Sequence, residues 1–307
     1  MILCCGEALM DCLPRKGADG ADVFQPVNGG SVYNTTIALG RLGDEVGLFA
    51  GISRDFFGDS LREGLKASHV SDKYLRLKDQ HTTLAMVKLE NGQARYSFID
   101  DASAGRMLVR KDLPTLPKGI TALHFGSISL IPEPCGSTYE TLLKRAAKTR
   151  VISLDPNIRP TLIHNKPKHL KRLGRLMALA DIVKISDEDV HWMTGGHDFA
   201  KAAKAWLKKG AKIVAITRGG AGCMVFTTRF SFETASPPVT VADTVGAGDT
   251  FTAGLLHYLN STGLLHKKAL AAIDEEALKA AAAYAMRAAA ITVSRPGADP
   301  PWAHEMA

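Results

Sequence analysis

The chain has 307 residues, of which 46% are hydrophobic and 22% charged, and its net charge is +7. This composition is typical of a soluble globular protein, and the length suits one large α/β domain or two smaller ones. The positive charge is typical either of solvated basic helix faces or of a surface that steers anionic ligands. It does not indicate nucleic-acid binding, because aromatic residues do not interleave with the basic ones.

The cysteines and the apolar runs predict a cytoplasmic location. The five cysteines are odd in number and lack CxxC spacing, which fits reduced thiols. No apolar run approaches the roughly 18 residues that span a bilayer, so we expect no membrane segment. The start Met1–Glu7 lacks the basic residues of a signal peptide. The histidines lack metal-binding spacing, so we expect no zinc site.

Short apolar runs alternate with helical stretches along most of the chain. Strands are predicted at Ile2–Cys5, Val46–Ala50, Ala122–Phe125, Val151–Leu154, Ile182–Ile185 and Ile213–Thr217. Helices are predicted from Ser31, as N-cap, to a stop at Gly43, and then at 56–67, 136–148, 166–179, 198–209, 247–260 and 275–293. This alternation predicts an α/β fold with a mostly parallel sheet that is covered by helices on both faces.

Two segments break the alternation. Residues 8–27 look extended, and residues 81–100 contain Asn91-Gly92 between two alternating runs, which is a strong hairpin signal. We expect these segments, about 8–27 and 81–103, to form a small antiparallel lid inserted in the α/β core. A simple surface hairpin is the alternative.

The segment Asp243–Leu256 is the most informative of the chain, because Gly246-Ala247-Gly248-Asp249 stands where a helix begins. Glycines let backbone N–H groups approach an anion, and the helix N-terminus favours negative charge at the same point. A carboxylate beside a phosphate cradle makes sense if a neutral hydroxyl between them loses its proton. The segment therefore predicts phosphoryl transfer to an alcohol; the alternative is an ordinary tight turn with a helix-start acid.

Four further sets of polar residues stand at predicted strand ends or helix starts, where open α/β sheets usually bind ligands. Glycines at a helix start and nearby amides suit a polyol, strand-end carboxylates accept sugar hydroxyls, arginine holds phosphate, and clustered acids bind Mg²⁺ through water. The sets are Gly29-Gly30 with Asn34, the acid Asp11 after the first strand, Asn157 with Arg159, and Lys184 with Asp187 and Asp189. A GxxxxGK[ST] motif and a GxGxxG motif after the first strand are both absent from the sequence.

Together these motifs resemble the ribokinase-like (PfkB-type) carbohydrate kinases over nearly the whole chain. Asp243–Leu256 is similar to the C-terminal signature of the family, and Gly29-Gly30 with Asn34 and Gly43 to the N-terminal one, although Tyr33 stands where a small residue is usual. The segments 124–127, 155–159 and 217–222 are also family-like. The resemblance implies a Rossmann-like three-layer α/β/α core in one domain (1–307), a β lid, ATP and Mg²⁺.

The resemblance also implies roles for individual residues. Asp249 would be the base, the amides of Gly246, Ala247 and Gly248 the anion hole, and Arg159 a contact of sugar or phosphate. Sugar-binding residues would be Asp11, Gly29, Gly30, Asn34, Phe98, Asn157 and Asp249. Nucleotide-binding residues would be Lys184, Thr217, Gly219, Gly222, Gly246 and Gly248. Metal ions would lie near Asp187 and Asp189 (Mg²⁺ through water) and near Asp243 and Val245 (K⁺).

One departure weakens the metal assignment, because the usual Asn-x-x-Glu of the family is replaced here by Ser186-Asp-Glu-Asp189.

We expect an ATP-dependent sugar kinase, most similar to fructokinases, that converts fructose to fructose 6-phosphate. The alternatives are a 2-keto-3-deoxygluconate kinase or another sugar or nucleoside kinase, and a sugar-binding regulator without catalysis. Tyr96 and Phe98 would cover an apolar sugar face or pack the lid on the core, and exposed strand edges in the lid would allow a homodimer.

Overall fold

The computed structural model describes residues 1–90 and 93–307, which form fourteen strands and nine α-helices. The strands are β1 (Ile2–Cys5), β2 (Leu9–Lys16), β3 (Asp22–Gly29), β4 (Val46–Phe49), β5 (Gly51–Ser53), β6 (Arg76–Lys78), β7 (Leu84–Glu90), β8 (Gln93–Ile99), β9 (Ala122–Gly126), β10 (Val151–Asp155), β11 (Ile182–Ser186), β12 (Ile213–Thr217), β13 (Cys223–Phe226) and β14 (Ser231–Thr234). The helices are α1 (Ser31–Arg41), α2 (Phe56–Ala67), α3 (Cys135–Ala146), α4 (Lys166–Met177), α5 (Asp187–Thr194), α6 (Phe199–Lys209), α7 (Ala247–Ser261), α8 (Lys267–Ala272) and α9 (Glu275–Val293).

Eight strands form the central sheet in the order β14-β13-β12-β11-β10-β9-β1-β4. The six strands from β12 to β4 are parallel; Cys4, for example, pairs with Leu48 on one side and with His124 on the other. The edge strands β13 and β14 run antiparallel and were not predicted from the sequence. The predicted mostly parallel sheet is confirmed.

The two faces of the sheet carry two separate hydrophobic cores. Ile2 and Cys4 of β1 face the core under α1, α2, α7, α8 and α9, whereas Leu3 and Cys5 face the core under α3 to α6. All four side chains are 0% exposed, and full burial of such a side chain contributes about 1.5–3 kcal/mol. Burial on both faces explains why the strands read as continuous apolar runs, and it confirms the predicted three layers.

A second sheet of four strands, which we call the lid sheet, has the order β3-β2-β7-β8. Its two hairpins are antiparallel, with Leu9 opposite Gly29 and Val87 opposite Tyr96. The turn predicted at Asn91-Gly92 lies outside the described residues. The predicted small antiparallel lid is confirmed. Its two hairpins join through β2 and β7, which pair in parallel, with Cys12 opposite Met86. The strands β2 and β7 are each the first strand of their hairpin and run away from the core, so they have the same direction.

A side-chain N-cap begins six of the nine described helices, whereas α1, α3 and α7 have none. The Asp55 carboxylate accepts from the Gly58 amide at 2.7 Å, which begins α2 at the predicted Phe56. Ser31, however, is the first residue of α1 and not its N-cap; Gly30 takes the cap position with a φ of 104°. In the part of the chain that the structure describes, the helices are all too short or too polar to cross a bilayer.

Candidate active site

A cleft of about 460 Å³ opens at the carboxyl ends of the central strands and under the lid sheet. Predicted site residues that line it are Asp11, Gly30, Asn34, Phe98, Asn157, Arg159, Lys184, Asp189, Thr217, Val245, Gly246, Gly248 and Asp249. Predicted site residues outside its lining are Gly29, Asp187, Gly219, Gly222, Asp243 and Ala247. Most of the predicted set therefore converges on one cleft, although it comes from sequence positions more than 200 residues apart.

The N-terminus of α7 forms one wall of the cleft. Gly246 precedes it in the left-handed region, with a φ of 77°, and a Cβ there would lie 2.7 Å from Ala298 Cβ. The intrahelical hydrogen bonds begin where the Thr250 amide donates to Gly246 O at 2.8 Å. The amides of the first helical turn thus have no intrahelical acceptor, although that of Ala247 donates to Thr244 O over a long 3.4 Å. These amides and the positive end of the 15-residue helix can bind an anion.

Asp249 lies in that first turn and is only 6% exposed, yet its carboxylate reaches the cleft. The Ser31 hydroxyl donates to Asp249 Oδ1 at 2.6 Å, and Asn34 Nδ2 donates to Oδ2 at 2.9 Å. Burial raises the pKa of Asp249, and the two hydrogen bonds oppose that rise. Each carboxylate oxygen keeps a free lone pair for a further hydroxyl.

Asn157 approaches the same carboxylate from the end of β10. Its Nδ2 atom donates to the Ser31 hydroxyl at 3.0 Å, while its buried Oδ1 atom has no hydrogen-bond partner. The residue has a φ of 40°, which is uncommon for a residue other than glycine. Strained backbone of this kind is found at functional sites more often than elsewhere.

Asp11 and Arg159 both line the cleft, and their opposite charges interact. Burial raises the pKa of Asp11 to about 6, although the charge of Arg159 opposes the rise and that of Asp249 adds to it. Gly29 lies directly behind Asp11, since a Cβ there would stand 2.1 Å from Asp11 Oδ2. Gly29 thus makes room for the carboxylate without lining the cleft itself.

Glu7 also lines the cleft, although the sequence analysis did not select it. Its carboxylate is 6% exposed and accepts from the amides of Val32 and Ser129, both at 3.3 Å. Burial raises its pKa, which the hydrogen bonds oppose. Ser31 was likewise missed as a site residue. A signal for Glu7 was present, because it stands two residues after β1, whereas the role of Ser31 is visible only in its contact with the distant Asp249.

Lys184 on β11 forms a buried ion pair with Asp155 at the end of β10, with 2.9 Å between Nζ and Oδ2. The charge of Asp155 raises the pKa of Lys184 against the effect of burial, so the ammonium stays protonated. A Cβ on Gly248 would lie 2.7 Å from Lys184 Nζ. The ammonium is therefore in contact with the first turn of α7, next to the free amides.

The three acids after β11 all lie in the first turn of α5, but only two of them reach the cleft. Asp189 and Glu188 line the cleft, whereas Asp187 does not; Asp187 Oδ1 accepts from the Glu188 amide at 3.0 Å. Burial raises the pKa of Asp189 to about 6, and its Oδ1 accepts from the Ile158 amide at 3.2 Å. Among the residues that the structure describes, no three His, Cys, Asp or Glu side chains form a metal-binding group.

Two loops border the cleft near the end of β12. Gly219 and Gly222 have φ angles of 51° and 86°, and a Cβ on Gly222 would lie 2.1 Å from Thr234 O, so this loop lies tight against β14. Asp243 accepts from the amides of Val245 at 3.0 Å and Gly297 at 2.9 Å. Both of its oxygens thus hold backbone in place around the start of α7.

Tyr96 and Phe98 of the lid sheet pack on the core, as one of the two predicted arrangements requires. Their rings are stacked, with 6.0 Å between centroids, and pack against Leu9, Ala85 and Ile128. Both side chains also line the cleft. The aromatic pair therefore joins the lid sheet to the core while presenting apolar surface to the cleft.

This geometry, an anion-binding helix start beside a carboxylate under a sheet-like lid, is that of a kinase acting on a hydroxyl compound. The model of the pfkB family of carbohydrate kinases matches residues 1–305. The chain belongs to this family and is a phosphotransferase that acts on a sugar hydroxyl.

Relatives and solved structures agree with this assignment. A fructokinase from Rhizobium leguminosarum bv. trifolii is 52% identical over 91% of this chain and 86% of its own length. The crystal structure of a fructokinase with bound ATP from Xylella fastidiosa superimposes with a TM-score of 0.90 at 25% identity, covering 99% of this chain and 96% of the other. A double mutant of a Vibrio cholerae fructokinase, in a form with fructose, ADP and potassium, reaches 0.85 at 26% identity and covers 97% and 93%.

Proposed function

We propose that the chain transfers the γ-phosphoryl group of ATP to the 6-hydroxyl of fructose, giving ADP and fructose 6-phosphate. The observation that carries this proposal is the Asp249 carboxylate, which reaches the cleft from the first turn of α7 beside the free helix amides. The names and bound ligands of the fructokinases to which the chain is similar support fructose and ATP as the substrates.

The charge of the cleft favours a neutral acceptor. Five carboxylates line it, those of Glu7, Asp11, Glu188, Asp189 and Asp249, against only two cations, Arg159 and Lys184. Lys184 is already paired with Asp155, and Arg159 faces Asp11. A sugar acid such as 2-keto-3-deoxygluconate would bring a further negative charge among these acids, whereas the hydroxyls of fructose would donate to them. We therefore place the sugar-acid kinase second.

The proposed mechanism assigns proton transfer and charge stabilisation to different groups. Asp249 would accept a hydrogen bond from the sugar hydroxyl, align it with the γ-phosphorus, and take its proton. The helix terminus makes a carboxylate a weaker base, but in a loose transition state the proton leaves late, so alignment matters more than basicity. The amides of Gly246, Ala247 and Gly248, with the ammonium of Lys184, would stabilise the charge on the transferred group.

The sugar and the nucleotide would lie on opposite sides of α7. Asp11, Gly29, Gly30, Asn34 and Asn157 would hold the sugar, with Phe98 over its apolar face and Arg159 at the sugar or the phosphate. Thr217, Gly219 and Gly222 would border the nucleotide. These roles stay predictions; the position of Thr217 in the cleft and the tight Gly219–Gly222 loop support them.

The acidic residues fit Mg²⁺ held mainly by water and phosphate. Asp189 lies in the cleft and would contact the ion through water, with Asp187 farther away, because no cage of three acidic or imidazole ligands occurs within the described ranges 1–90 and 93–307. Bound Mg²⁺ would neutralise charge on the phosphates. A K⁺ ion near Asp243 and Val245 is supported by the potassium in the Vibrio cholerae fructokinase.

The outer face of the lid sheet supports a homodimer. Phe24 on this face is 54% exposed and borders an apolar groove of about 980 Å³, which Val23, 42% exposed on the edge strand β3, also borders. A second copy of the lid sheet would cover this surface.

The five cysteines are buried thiols, which supports the predicted cytoplasmic location. We also retain the prediction that residues 1–307 form one kinase domain.

A sugar panel tests the proposed function. ADP release would be followed with fructose, ribose, 2-keto-3-deoxygluconate and a nucleoside, and we expect the highest kcat/KM for fructose. Highest turnover of the sugar acid would reverse the order of the two kinases. If no sugar caused ATP consumption but fructose still raised the melting temperature, the chain would be a sugar-binding regulator.

A further inference from the structure

We propose that the Ser31 hydroxyl is a positioning group for Asp249, and that Asn157 sets the direction in which this hydroxyl points. The inference rests on the proposed function, because it assumes that Asp249 orients and deprotonates the acceptor. It adds a residue that no motif marked as functional: Ser31 was expected only to cap α1.

Ser31 is placed for this role by the backbone before it. With Gly30 in the cap position at a φ of 104°, α1 begins one residue earlier than expected and Ser31 becomes its first helical residue. Its side chain, 8% exposed, forms no capping hydrogen bond and points across to α7. The hydroxyl is therefore used for a contact between two helices that are 218 residues apart along the chain.

The direction of the Ser31 hydroxyl is fixed by its two neighbours. A hydroxyl has one hydrogen, and an ionised carboxylate can only accept, so the hydrogen lies on the 2.6 Å line to Asp249 Oδ1. Asn157 Nδ2 donates to the oxygen lone pair of Ser31 at 3.0 Å and keeps the hydroxyl from turning. Because Asn34 holds Oδ2 at 2.9 Å, the carboxylate is fixed at both oxygens.

The chain of donors ends at an atom that has no partner. Asn157 Oδ1 is buried and accepts no hydrogen bond. The residue nevertheless holds this position with a strained backbone, at a φ of 40°. A sugar hydroxyl that donates to Oδ1 would polarise the amide and strengthen each donor bond after it. Binding of the acceptor would thereby tighten the hold of Ser31 on Asp249.

The second effect of Ser31 is on charge. Burial raises the pKa of Asp249, and the Ser31 hydrogen bond opposes this rise more than any other contact does. Other groups that act on Asp249 are Lys184 of β11 and Asp155 of β10, and Asp249 in turn acts on Asp11 of β2 and Tyr96 of β8. Glu7, Arg159, Glu188 and Asp189 also line the cleft. A change at Ser31 leaves all of these in place.

The test is the pH profile of kcat with fructose for wild type, Ser31→Ala and Ser31→Thr. The acid limb is the low-pH side of this profile, where protonation of Asp249 lowers kcat. Loss of a hydrogen bond to a charged group raises the pKa of that group by about one unit, so Ser31→Ala should move the acid limb about one pH unit higher. Its kcat should fall about tenfold at pH values well below the wild-type limb and approach wild type well above it. Ser31→Thr, which keeps the hydroxyl, should restore the wild-type limb.

Thr36→Val is the matched control, because Thr36 is buried on the same helix and its hydroxyl donates to Val32 O at 2.7 Å, away from Asp249. It should leave the acid limb unchanged. A limb that does not move in Ser31→Ala, or a Ser31→Thr variant whose limb is displaced as far as that of Ser31→Ala, would overturn the proposal, because the hydroxyl would then have no effect on Asp249.

Asn157→Gly provides a second variant should Ser31→Ala fold poorly, since glycine tolerates the positive φ. It should shift the limb in the same direction by a smaller amount, and an unshifted limb would again contradict the proposal. If wild type consumes no ATP with any sugar, the proposed function fails; if wild type is active and Ser31→Ala keeps its limb, only the role of Ser31 fails.

Discussion

Lys184 and Asp155 form an ion pair that is almost completely removed from water, with side chains 4% and 2% exposed and 2.9 Å between Nζ and Oδ2. The pair lies under the first turn of α7, where the ammonium is close to Gly248. A buried ion pair of this kind adds little net stability compared with apolar residues, because desolvation offsets the attraction. Its position beside the anion-binding amides gives the cation a second use, at the transferred phosphoryl group.

The variants Lys184→Met and Asp155→Asn/Lys184→Met separate these two uses. The single variant leaves a buried, unpaired carboxylate and should lower the free energy of unfolding by about 3–5 kcal/mol. The double variant removes both charges and should recover most of that stability, as measured by urea unfolding. Its turnover should nevertheless stay at least about 100-fold below wild type, because the cation is missing. If turnover recovered together with stability, Lys184 would act only as the counter-ion of Asp155 and not at the transferred phosphoryl group.

Gly248→Ala should damage catalysis more than folding. The new Cβ would stand 2.7 Å from Lys184 Nζ, which is the flexible end of its side chain and can shift. Because alanine favours helices, the melting temperature should change little, while kcat should fall about 10- to 100-fold. Gly174→Ala in α4, where a Cβ meets nothing within 4 Å, is the control and should leave kcat unchanged. A wild-type kcat in Gly248→Ala would argue against a role for the ammonium.

Asp249→Asn should retain sugar binding and lose turnover by about three or more orders of magnitude. The amide can still accept one hydrogen bond, from Ser31 or Asn34, but it cannot take a proton from the sugar hydroxyl. Calorimetric titration with fructose and the ADP-release assay measure the two properties separately. Turnover within tenfold of wild type would remove Asp249 from the proposed mechanism.

Asp11→Asn should stabilise the free protein at pH 8 and weaken sugar binding. The folded-state pKa of Asp11 is about 6, above its ordinary value of 3.8, so the folded state binds the proton more tightly than the unfolded state does. Wild-type stability therefore falls as the pH rises from about 4 to 6 and stays lower above that range. The variant should gain about 1–3 kcal/mol at pH 8 and almost nothing below pH 4, by urea unfolding. Equal gains at both pH values would contradict this origin.

Phe24→Glu should shift the protein from dimer to monomer. Phe24 is 54% exposed on the outer face of the lid sheet, and a charge there opposes burial against a second copy. Light scattering after size-exclusion chromatography measures the mass. Phe56→Glu is the control, because Phe56 is 74% exposed but lies at the start of α2, outside the lid sheet. A monomeric wild type would remove the proposed dimer.

The sequence predicted the elements best where local signals agree. The strand Ile2–Cys5 and the helices Phe56–Ala67 and Glu275–Val293 have the predicted bounds, because apolar periodicity and capping act over a few residues. The edge strands β13 (Cys223–Phe226) and β14 (Ser231–Thr234) were missed because they follow β12 without an α-helix between them and so fall outside the alternation of strands and helices.

The candidate site was predictable where glycine and carboxylate share a motif, as at Gly246–Asp249. It was not predictable where a partner comes from a distant part of the chain. Nothing near Ser31 in the sequence shows that Gly30 would take the cap and turn Ser31 toward Asp249, and nothing near Lys184 identifies Asp155 as its counter-ion. The division between Asp189, which reaches the cleft, and Asp187, which does not, depends on the rotation of α5.

The contact between Ser31 and Asp249 joins residues separated by 218 positions. During synthesis, the partner of Ser31 emerges only after four-fifths of the chain has been made, and α9 must still follow to pack on α7. A nascent or truncated chain that ends before α7 would therefore contain most of the proposed sugar-binding residues but would lack Asp249 and could not transfer a phosphoryl group. Enzymatic turnover in this protein consequently reports that the last helices have docked, which makes it a sensitive gauge of complete maturation.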